Sequence, residues 1–180
     1  MTATHPNAGR PRVRLAAVLT WLMLLLAPAA WAEKAIDFQF TDIEGKEVKL
    51  SDFKGKWVLV NFWAPWCPLC WAETQTLNTM NRRKDFVVIG IGLDYGPDEN
   101  VVRETAKSHD FDVTTVAGGS RRDTNRVYRQ VGPVDFFPTS YLYDPTGEIV
   151  MFIPGQVRES KLKSFMEEWH RGRTKKGSGK

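Results

Sequence analysis

The two cysteines of this 180-residue chain, Cys67 and Cys70, are separated by two residues. The apolar stretch 56–63 before them predicts a buried strand, and the polar stretch 72–83 after them predicts a helix. Cys67 is therefore expected to be the N-cap of that helix, with Pro68 in the first helical position, where its fixed φ and missing N–H cost nothing. Unpaired N–H groups and the helix dipole stabilise a thiolate at such a position. An exposed, acidic Cys67 and a shielded Cys70 one turn later are suited to thiol–disulfide exchange.

Other uses of the cysteine pair fit the sequence less well. A structural disulfide across so short a loop would stabilise the fold by only about 2 kcal/mol. A zinc site needs about four ligands, and the scattered residues His5, His109 and His170 supply neither the number nor the spacing. Two unrelated free thiols would not need a strand, a cysteine, a proline and a helix in this order. The sequence thus favours a redox pair and predicts no metal site.

The N-terminal segment has the three parts of a secretory signal peptide. Residues 1–14 carry three arginines and no acidic residue, residues 15–30 are almost all apolar, and Ala30-Trp31-Ala32 is a small-x-small cleavage site. The apolar run is shorter than the ~20 residues that usually span a bilayer. We therefore expect residues 1–32 to be a signal peptide that is cleaved after Ala32, which places the protein in the periplasm. The alternative is an uncleaved anchor in the inner membrane.

The segment after the signal is long enough for one domain and too short for two. We expect this domain to span residues 33–169, and we expect the basic tail 170–180, which contains no apolar residue, to be disordered. The chain has a net charge of +4, but its excess positive charge lies in the two terminal segments and the domain itself is acidic. A basic surface for nucleic acid is therefore not predicted. We expect the protein to be a monomer.

Apolar patterns along the domain predict an α/β fold. The expected strands cover residues 38–41, 46–50, 56–63, 86–93, 113–117, 139–143 and 148–153, and the expected helices cover residues 72–83, 97–109, 123–130 and 157–169. The last two strands are joined by a turn so short that they must be antiparallel. This order gives a central mixed β-sheet with helices on both faces, preceded by an N-terminal β-hairpin.

Four sequence motifs resemble the thioredoxin superfamily and, within it, the exported TlpA/ResA-like thiol–disulfide oxidoreductases. They are Leu-Ser-Asp-Phe-Lys-Gly-Lys at 50–56, Val-Asn-Phe-Trp-Ala-Pro-Trp-Cys-Pro-Leu-Cys at 60–70, Phe-Pro-Thr at 137–139 and Asp-Pro-Thr-Gly-Glu at 144–148. The resemblance extends from about residue 38 to residue 169. It implies a thioredoxin fold, a disulfide-exchange activity with no dissociable cofactor, and Cys67 and Cys70 as the catalytic residues.

The resemblance also gives roles to two polar residues near the cysteines. Cytoplasmic thioredoxins bury an aspartate six residues before the first cysteine, whereas this chain has Asn61, which neither accepts nor releases a proton. The TlpA-like branch places a glutamate three residues after the second cysteine, and Glu73 occupies that position. It is expected to raise the pKa of Cys70 and to take the proton of this thiol during exchange. The alternative is an ordinary acid in the first turn of a helix.

Aromatic residues beside the cysteines predict a surface for client proteins. Trp66 adjoins the attacking sulfur, and Phe137, Pro138 and Thr139 match the family motif that precedes a strand. In the family this proline follows a cis peptide bond and lies beside the C-x-x-C motif, so the Phe137–Pro138 bond is expected to be cis. An exposed aromatic patch beside a reactive sulfur suits an extended peptide. The alternative is that Trp66 and Phe137 are ordinary core residues.

These features together predict an exported protein-disulfide reductase. The resemblance implies client proteins with disulfides, such as apocytochromes c and proteins that mature metal centres, and a membrane electron donor that restores the dithiol. Leu69 lies between the cysteines, where strong oxidants of this fold often carry histidine, and this favours the reductase. A thiol peroxidase is an alternative, but the peroxiredoxin pattern has threonine at the position of Ala64. A copper-binding assembly protein is another alternative. Its candidate ligand is His109, which is expected at the surface. Related copper carriers, however, space their cysteines one residue wider.

Overall fold

The computed structural model describes residues 36–123 and 127–177 of the chain. The predicted signal peptide, residues 1–32, and its cleavage site lie outside these ranges. Among the described residues, no helix has both the length and the apolar composition needed to cross a membrane.

The described part of the chain forms a β-hairpin and a five-stranded mixed sheet. The strands are β1 (Gln39–Thr41), β2 (Glu47–Lys49), β3 (Trp57–Trp63), β4 (Phe86–Gly92), β5 (Thr114–Ala117), β6 (Thr139–Tyr143) and β7 (Ile149–Pro154). The α-helices are α1 (Pro68–Trp71), α2 (Thr74–Asn81), α3 (Asn100–Ser108) and α4 (Glu159–Gly177), with 3-10 helices at Leu50–Phe53 and Val127–Gln130.

The strand order confirms the predicted α/β fold. β1 and β2 pair as an antiparallel hairpin, and the large sheet has the order β5-β4-β3-β6-β7. β4 is parallel to both β3 and β5, whereas β6 is antiparallel to both β3 and β7. The short turn between β6 and β7 therefore joins antiparallel strands, as the sequence predicts.

Strand β3 lies at the centre of the sheet, and all seven of its residues are buried. Because side chains alternate along a strand, β3 contributes to two separate cores. Its odd-numbered apolar residues pack with α2, α3 and α4, and its even-numbered residues pack with the β1–β2 hairpin and the 3-10 helix Val127–Gln130. Helical cover is thus present on both faces, but the three longer helices share one of them.

The helix expected to begin after the N-cap Cys67 and to continue through residues 72–83 is interrupted. The structure has a short helix α1, a break at Ala72 and Glu73, and then α2. Glu73 adopts φ −102° and ψ 0°, and its side chain is buried and hydrogen-bonded to Asn61 of β3. The polar pattern of the sequence does not reveal this break, because it depends on a contact with a residue outside the helix.

The last helix is longer than the sequence predicts. α4 continues to Gly177, whereas disorder is expected from residue 170. In this extension, the guanidinium of Arg173 lies 4.6 Å from the ring centroid of Trp169, one turn earlier. Basic residues near a helix C-terminus also interact favourably with the helix dipole. The helix expected at 123–130 includes residues 124–126, which are not described, and the described segment Val127–Gln130 forms a 3-10 helix.

Three chain segments meet at the C-terminal end of β3. Phe62 pairs with Thr139 at the start of β6, and Trp63 pairs with Gly92 at the end of β4. The segment after β3, which contains the cysteines, therefore lies beside the segment that precedes β6 and the segment that follows β4.

Candidate active site

The two cysteines form a disulfide at the start of α1. Their Cα atoms are 5.4 Å apart. Cys67 is the N-cap of α1, Pro68 follows it at the helix start, and the backbone N–H of Cys70 donates to Cys67 Sγ at 3.2 Å. The predicted N-cap position of Cys67 is confirmed, and a backbone donor is already directed at its sulfur.

Two details of the cysteine pair differ from expectation. Cys67 is 5% exposed and Cys70 is 3% exposed, so in the disulfide form the expected contrast between an open first cysteine and a shielded second one is nearly absent. In addition, α1 has only four residues. A long helix dipole therefore does not act on Cys67, and the N–H of Cys70 is the local interaction that remains to stabilise a thiolate there.

Glu73 lies at the N-cap position of α2, as an acid at a helix start would, but it is buried rather than exposed. Its side chain is 2% exposed. Asn61 Nδ2 donates to one carboxylate oxygen at 2.9 Å, and the backbone N–H of Val157 donates to the other at 2.5 Å. Burial raises the pKa of Glu73 to about 7, although the bonds from Val157 and Asn61 oppose this rise.

Asn61 connects Glu73 to strand β6. Its Nδ2 also donates to Ser140 Oγ at 2.9 Å, and both residues are buried. Asn61, which cannot transfer a proton, therefore has a structural role, since it holds the carboxylate in place. Ser140 and Val157 were not found from the sequence. The available signal was Asn61 itself, because a polar side chain within an apolar strand needs a buried partner.

Apolar side chains around the disulfide form a surface that we call the docking surface, consisting of Trp66, Leu69, Phe136 and Phe137. Trp66 is 61% exposed, Leu69 and Phe136 are also exposed, and Phe137 is half-buried. The rings of Trp66 and Phe137 are in edge-to-face contact, with their centroids 5.6 Å apart. The alternative that Trp66 is a core residue is therefore wrong.

Pro138 and Thr139 lie beneath the docking surface. The Phe137–Pro138 peptide bond is cis, as predicted. Both Pro138 and Thr139 are buried, and Thr139 Oγ1 donates to the carbonyl of Phe136 at 2.8 Å. Thr139 thus supports the backbone of the docking surface. Because its side chain is buried, it is not placed to contact a client directly.

The segment between β7 and α4 contacts three parts of the site. The N–H of Gly155 donates to the carbonyl of Pro138 at 2.9 Å, and Gln156 Nε2 donates to the carbonyl of Leu69 at 3.2 Å. The next residue, Val157, supplies the bond to Glu73 described above. Three consecutive residues therefore hold the proline segment, the C-x-x-C segment and the buried acid in fixed relation.

His109 is not a free surface ligand. It is half-buried at the C-terminus of α3, and its ring stacks on Trp71 with the centroids 4.1 Å apart. Its Nδ1 is 3.0 Å from the carbonyl of Thr105. Within residues 36–123 and 127–177, no group of three His, Cys, Asp or Glu side chains is close enough to hold a metal ion.

Comparisons with known proteins agree with this geometry. A sequence model of the AhpC/TSA family matches residues 31–152. The chain is 32% identical over 139 residues to the thiol–disulfide oxidoreductase ResA of Bacillus thuringiensis, which covers 76% of each protein. It is 31% identical over 135 residues to ResA of Bacillus subtilis, covering 73% of this chain and 72% of that protein.

Solved structures give the same result for the fold. A putative thioredoxin from Neisseria meningitidis superposes with a TM-score of 0.63 at 29% identity, covering 77% of this chain and 90% of its own. A putative thiol:disulfide interchange protein DsbE from Chlorobium tepidum gives 0.59 at 26% identity, covering 77% and 94%. The chain therefore belongs to the AhpC/TSA family, has the thioredoxin fold that its sequence predicts, and is a thiol–disulfide oxidoreductase.

Proposed function

We propose that this oxidoreductase is an exported reductase of disulfides in client proteins, with Cys67 as the attacking residue, Cys70 as the resolving residue and Glu73 as the proton acceptor. The observation that carries the proposal is the buried Glu73 carboxyl, three residues after Cys70, whose pKa burial raises to about 7. A group with this pKa both accepts and releases a proton near neutral pH, which a surface glutamate does poorly.

Reduction proceeds in two displacement steps. The Cys67 thiolate attacks one sulfur of the client disulfide, which forms a mixed disulfide and releases the first client thiolate. Cys70 then loses its proton to Glu73, attacks the Cys67 sulfur and displaces the second client thiolate. Two electrons pass from the enzyme dithiol to the client, and the Cys67–Cys70 disulfide of the structure is the product state.

The docking surface would bind the client around its disulfide. Trp66 and Phe137 would offer apolar contacts to the client beside Cys67. The cis bond before Pro138 sets the course of the backbone in the neighbouring segment. An extended peptide makes good use of such a surface, because its alternate side chains reach apolar pockets while its backbone pairs with the protein.

The N-terminal signal and the family support a proposal for the location, the electron donor and the clients of the protein. We propose export to the periplasm with cleavage after Ala32, a membrane electron donor that reduces the Cys67–Cys70 disulfide, and clients such as apocytochromes c or proteins that mature metal centres. The protein would work as a monomer without a dissociable cofactor.

The direction of the reaction can be tested by equilibrating the protein with glutathione redox buffers. We expect a reduction potential near that of thioredoxin, about −270 mV, rather than the roughly −120 mV of the strong oxidant DsbA. The reduced protein should also convert a disulfide-containing peptide to its dithiol with one-to-one stoichiometry. A potential near that of DsbA, or faster turnover of hydrogen peroxide than of the peptide disulfide, would contradict the proposal.

Export has a separate test. When the full chain is expressed with its own leader in a Gram-negative host, the mature protein should begin at Glu33 and appear in the periplasmic fraction. A membrane-bound product that still begins near Met1 would support the inner-membrane anchor instead.

A further inference from the structure

An ion pair lies beside the docking surface, in the segments that follow β4 and β5. Arg121 Nε and Asp94 Oδ2 are 2.6 Å apart, and the backbone N–H of Arg121 donates to Asp94 Oδ1 at 2.8 Å. Ser120 Oγ donates to the same oxygen at 3.3 Å. The carboxylate of Asp94 is thus engaged from several directions, and the charge of Arg121 is largely neutralised within the protein.

Each member of this pair also contacts one aromatic residue of the docking surface. The guanidinium of Arg121 lies 4.4 Å from the ring centroid of Phe137. Trp66 Nε1 donates to the backbone carbonyl of Asp94 at 3.4 Å. Since the two rings also touch each other, the pair and the two aromatic residues form a closed set of contacts.

The backbone conformation of Asp94 and a further hydrogen bond of Arg121 help to shape the loops for these contacts. Asp94 has φ +53°, in the left-handed region that few residues other than glycine, asparagine and aspartate adopt. Arg121 Nη1 donates at 2.9 Å to the carbonyl of Asp135, two residues before Phe137. Arg121 therefore contacts both the ring of Phe137 and the backbone that leads to it.

We propose that Arg121 and Asp94 are positioning residues for client binding, which hold Trp66 and Phe137 in the orientation that an extended client peptide requires. The inference rests on the proposed function, because it assumes that clients bind at the docking surface. A surface that is ordered before binding loses less conformational entropy when the client arrives, so the pair increases client affinity without touching the client. The guanidinium is occupied by Asp94 and by the Phe137 ring, which favours this role over capture of an acidic client.

Steady-state kinetics of Arg121→Met test the inference, with dithiothreitol restoring the Cys67–Cys70 dithiol after each turnover and with the uncatalysed reduction by dithiothreitol subtracted. This substitution keeps much of the side-chain length but removes the ion pair and the cation–π contact. We expect KM for a disulfide-containing peptide to rise about fivefold, which corresponds to ~1 kcal/mol. We expect kcat, and the rate with oxidised glutathione, which is too small to span the docking surface, to stay within about twofold of the wild type. An unchanged peptide KM, or an equal loss with both substrates, would overturn the inference.

Further variants keep the result interpretable. Asp94→Asn retains a residue that tolerates the positive φ but removes the charge, so it should raise the peptide KM in the same way even if Arg121→Met folds poorly. Arg83→Met is the matched control, because Arg83 forms an exposed ion pair with Asp85 just before β4, at the other end of that strand. It should change neither the KM for the peptide nor the rate with oxidised glutathione. An effect of Arg83→Met equal to that of Arg121→Met would also overturn the inference.

A double-mutant comparison separates positioning from other effects. If Arg121 acts through the aromatic residues, Arg121→Met should have no further effect on KM once both Trp66 and Phe137 are replaced by alanine. An undiminished effect in that background would show that Arg121 acts directly on the client.

Failure of the proposed function gives a different result. If Trp66→Ala leaves the peptide KM unchanged, clients do not bind at the docking surface, and both the proposed client-binding role of this surface and the positioning role of Arg121 and Asp94 fail. If Trp66→Ala raises KM but Arg121→Met and Asp94→Asn do not, only the positioning role fails.

Discussion

Glu73→Gln should change the stability of the protein in a way that depends on pH. In the unfolded chain Glu73 releases its proton near its ordinary pKa of 4.5, whereas in the folded protein burial raises this pKa to about 7. Below about pH 4.5 both states hold the proton, and ionisation costs no stability. Between pH 4.5 and 7 the unfolded chain ionises while the folded protein keeps the proton, so stability falls as the pH rises, and above pH 7, where both states are ionised, it stays at the lower value.

The size of this effect follows from the difference between the two pKa values. Each pKa unit is worth about 1.4 kcal/mol, so ionised Glu73 destabilises the folded protein by about 3 kcal/mol above pH 7. Glutamine does not ionise and avoids this penalty. However, the two donors, Asn61 Nδ2 and the N–H of Val157, are directed at different carboxylate oxygens, and in glutamine one of these oxygens is replaced by an NH2 group that cannot accept. One unpaired donor costs about 1–3 kcal/mol at every pH.

Urea unfolding of the disulfide form at pH 5, 7 and 9 measures the two contributions separately. At pH 5 we expect the variant to be less stable than the wild type, because the unpaired donor dominates. Between pH 5 and pH 9 the difference in unfolding free energy should move by roughly 2–3 kcal/mol in favour of the variant. Glu104→Gln, the same substitution at an exposed position of α3, is the matched control. A stability difference for Glu73→Gln that is constant across this range would refute the reasoning.

Other predictions concern the cysteines and two glycines. In the reduced protein near neutral pH, alkylation should modify Cys67 before Cys70, because the N-cap sulfur accepts a hydrogen bond from a backbone N–H. Mass spectrometry of partly alkylated protein would show this order, and equal alkylation rates of the two cysteines would contradict it. Gly90→Ala should lower the unfolding free energy by about 1–3 kcal/mol, since its Cβ would come within 2.4 Å of the Phe111 ring. Gly172→Ala has open space around it and lies within α4, so thermal unfolding should show it to be neutral or slightly stabilising.

The features that the sequence predicted correctly depend on local patterns. A C-x-x-C pair that follows an apolar strand, with a proline directly after its first cysteine, is readable over a dozen residues, and β3 with its apolar residues on both faces is readable in the same way. The cis bond before Pro138 came from the family resemblance. Each of these needs only neighbouring residues or a known motif.

The features that were missed depend on contacts between distant parts of the chain. The burial of Glu73 requires Val157, and the break before α2 accompanies that burial. The pair formed by Asp94 and Arg121 lies in two loops without periodic pattern, so neither propensity nor spacing indicates it. Polar residues in loops carry little information until the fold brings them together.

The hydrogen bond between Glu73 and Val157 has a consequence for the order in which the chain becomes active. It joins residues that are 84 positions apart, and the partner of Asn61 in β6 is 79 positions away. A nascent or partly unfolded chain therefore contains the cysteine pair long before it contains the environment of its acid. In that state the carboxyl of Glu73 is hydrated and ionised at neutral pH, and it has little affinity for the Cys70 proton. The cysteines can become oxidised early, but if Glu73 is the proton acceptor that we propose, it can take the Cys70 proton efficiently only after β6, β7 and the start of α4 have assembled on the sheet.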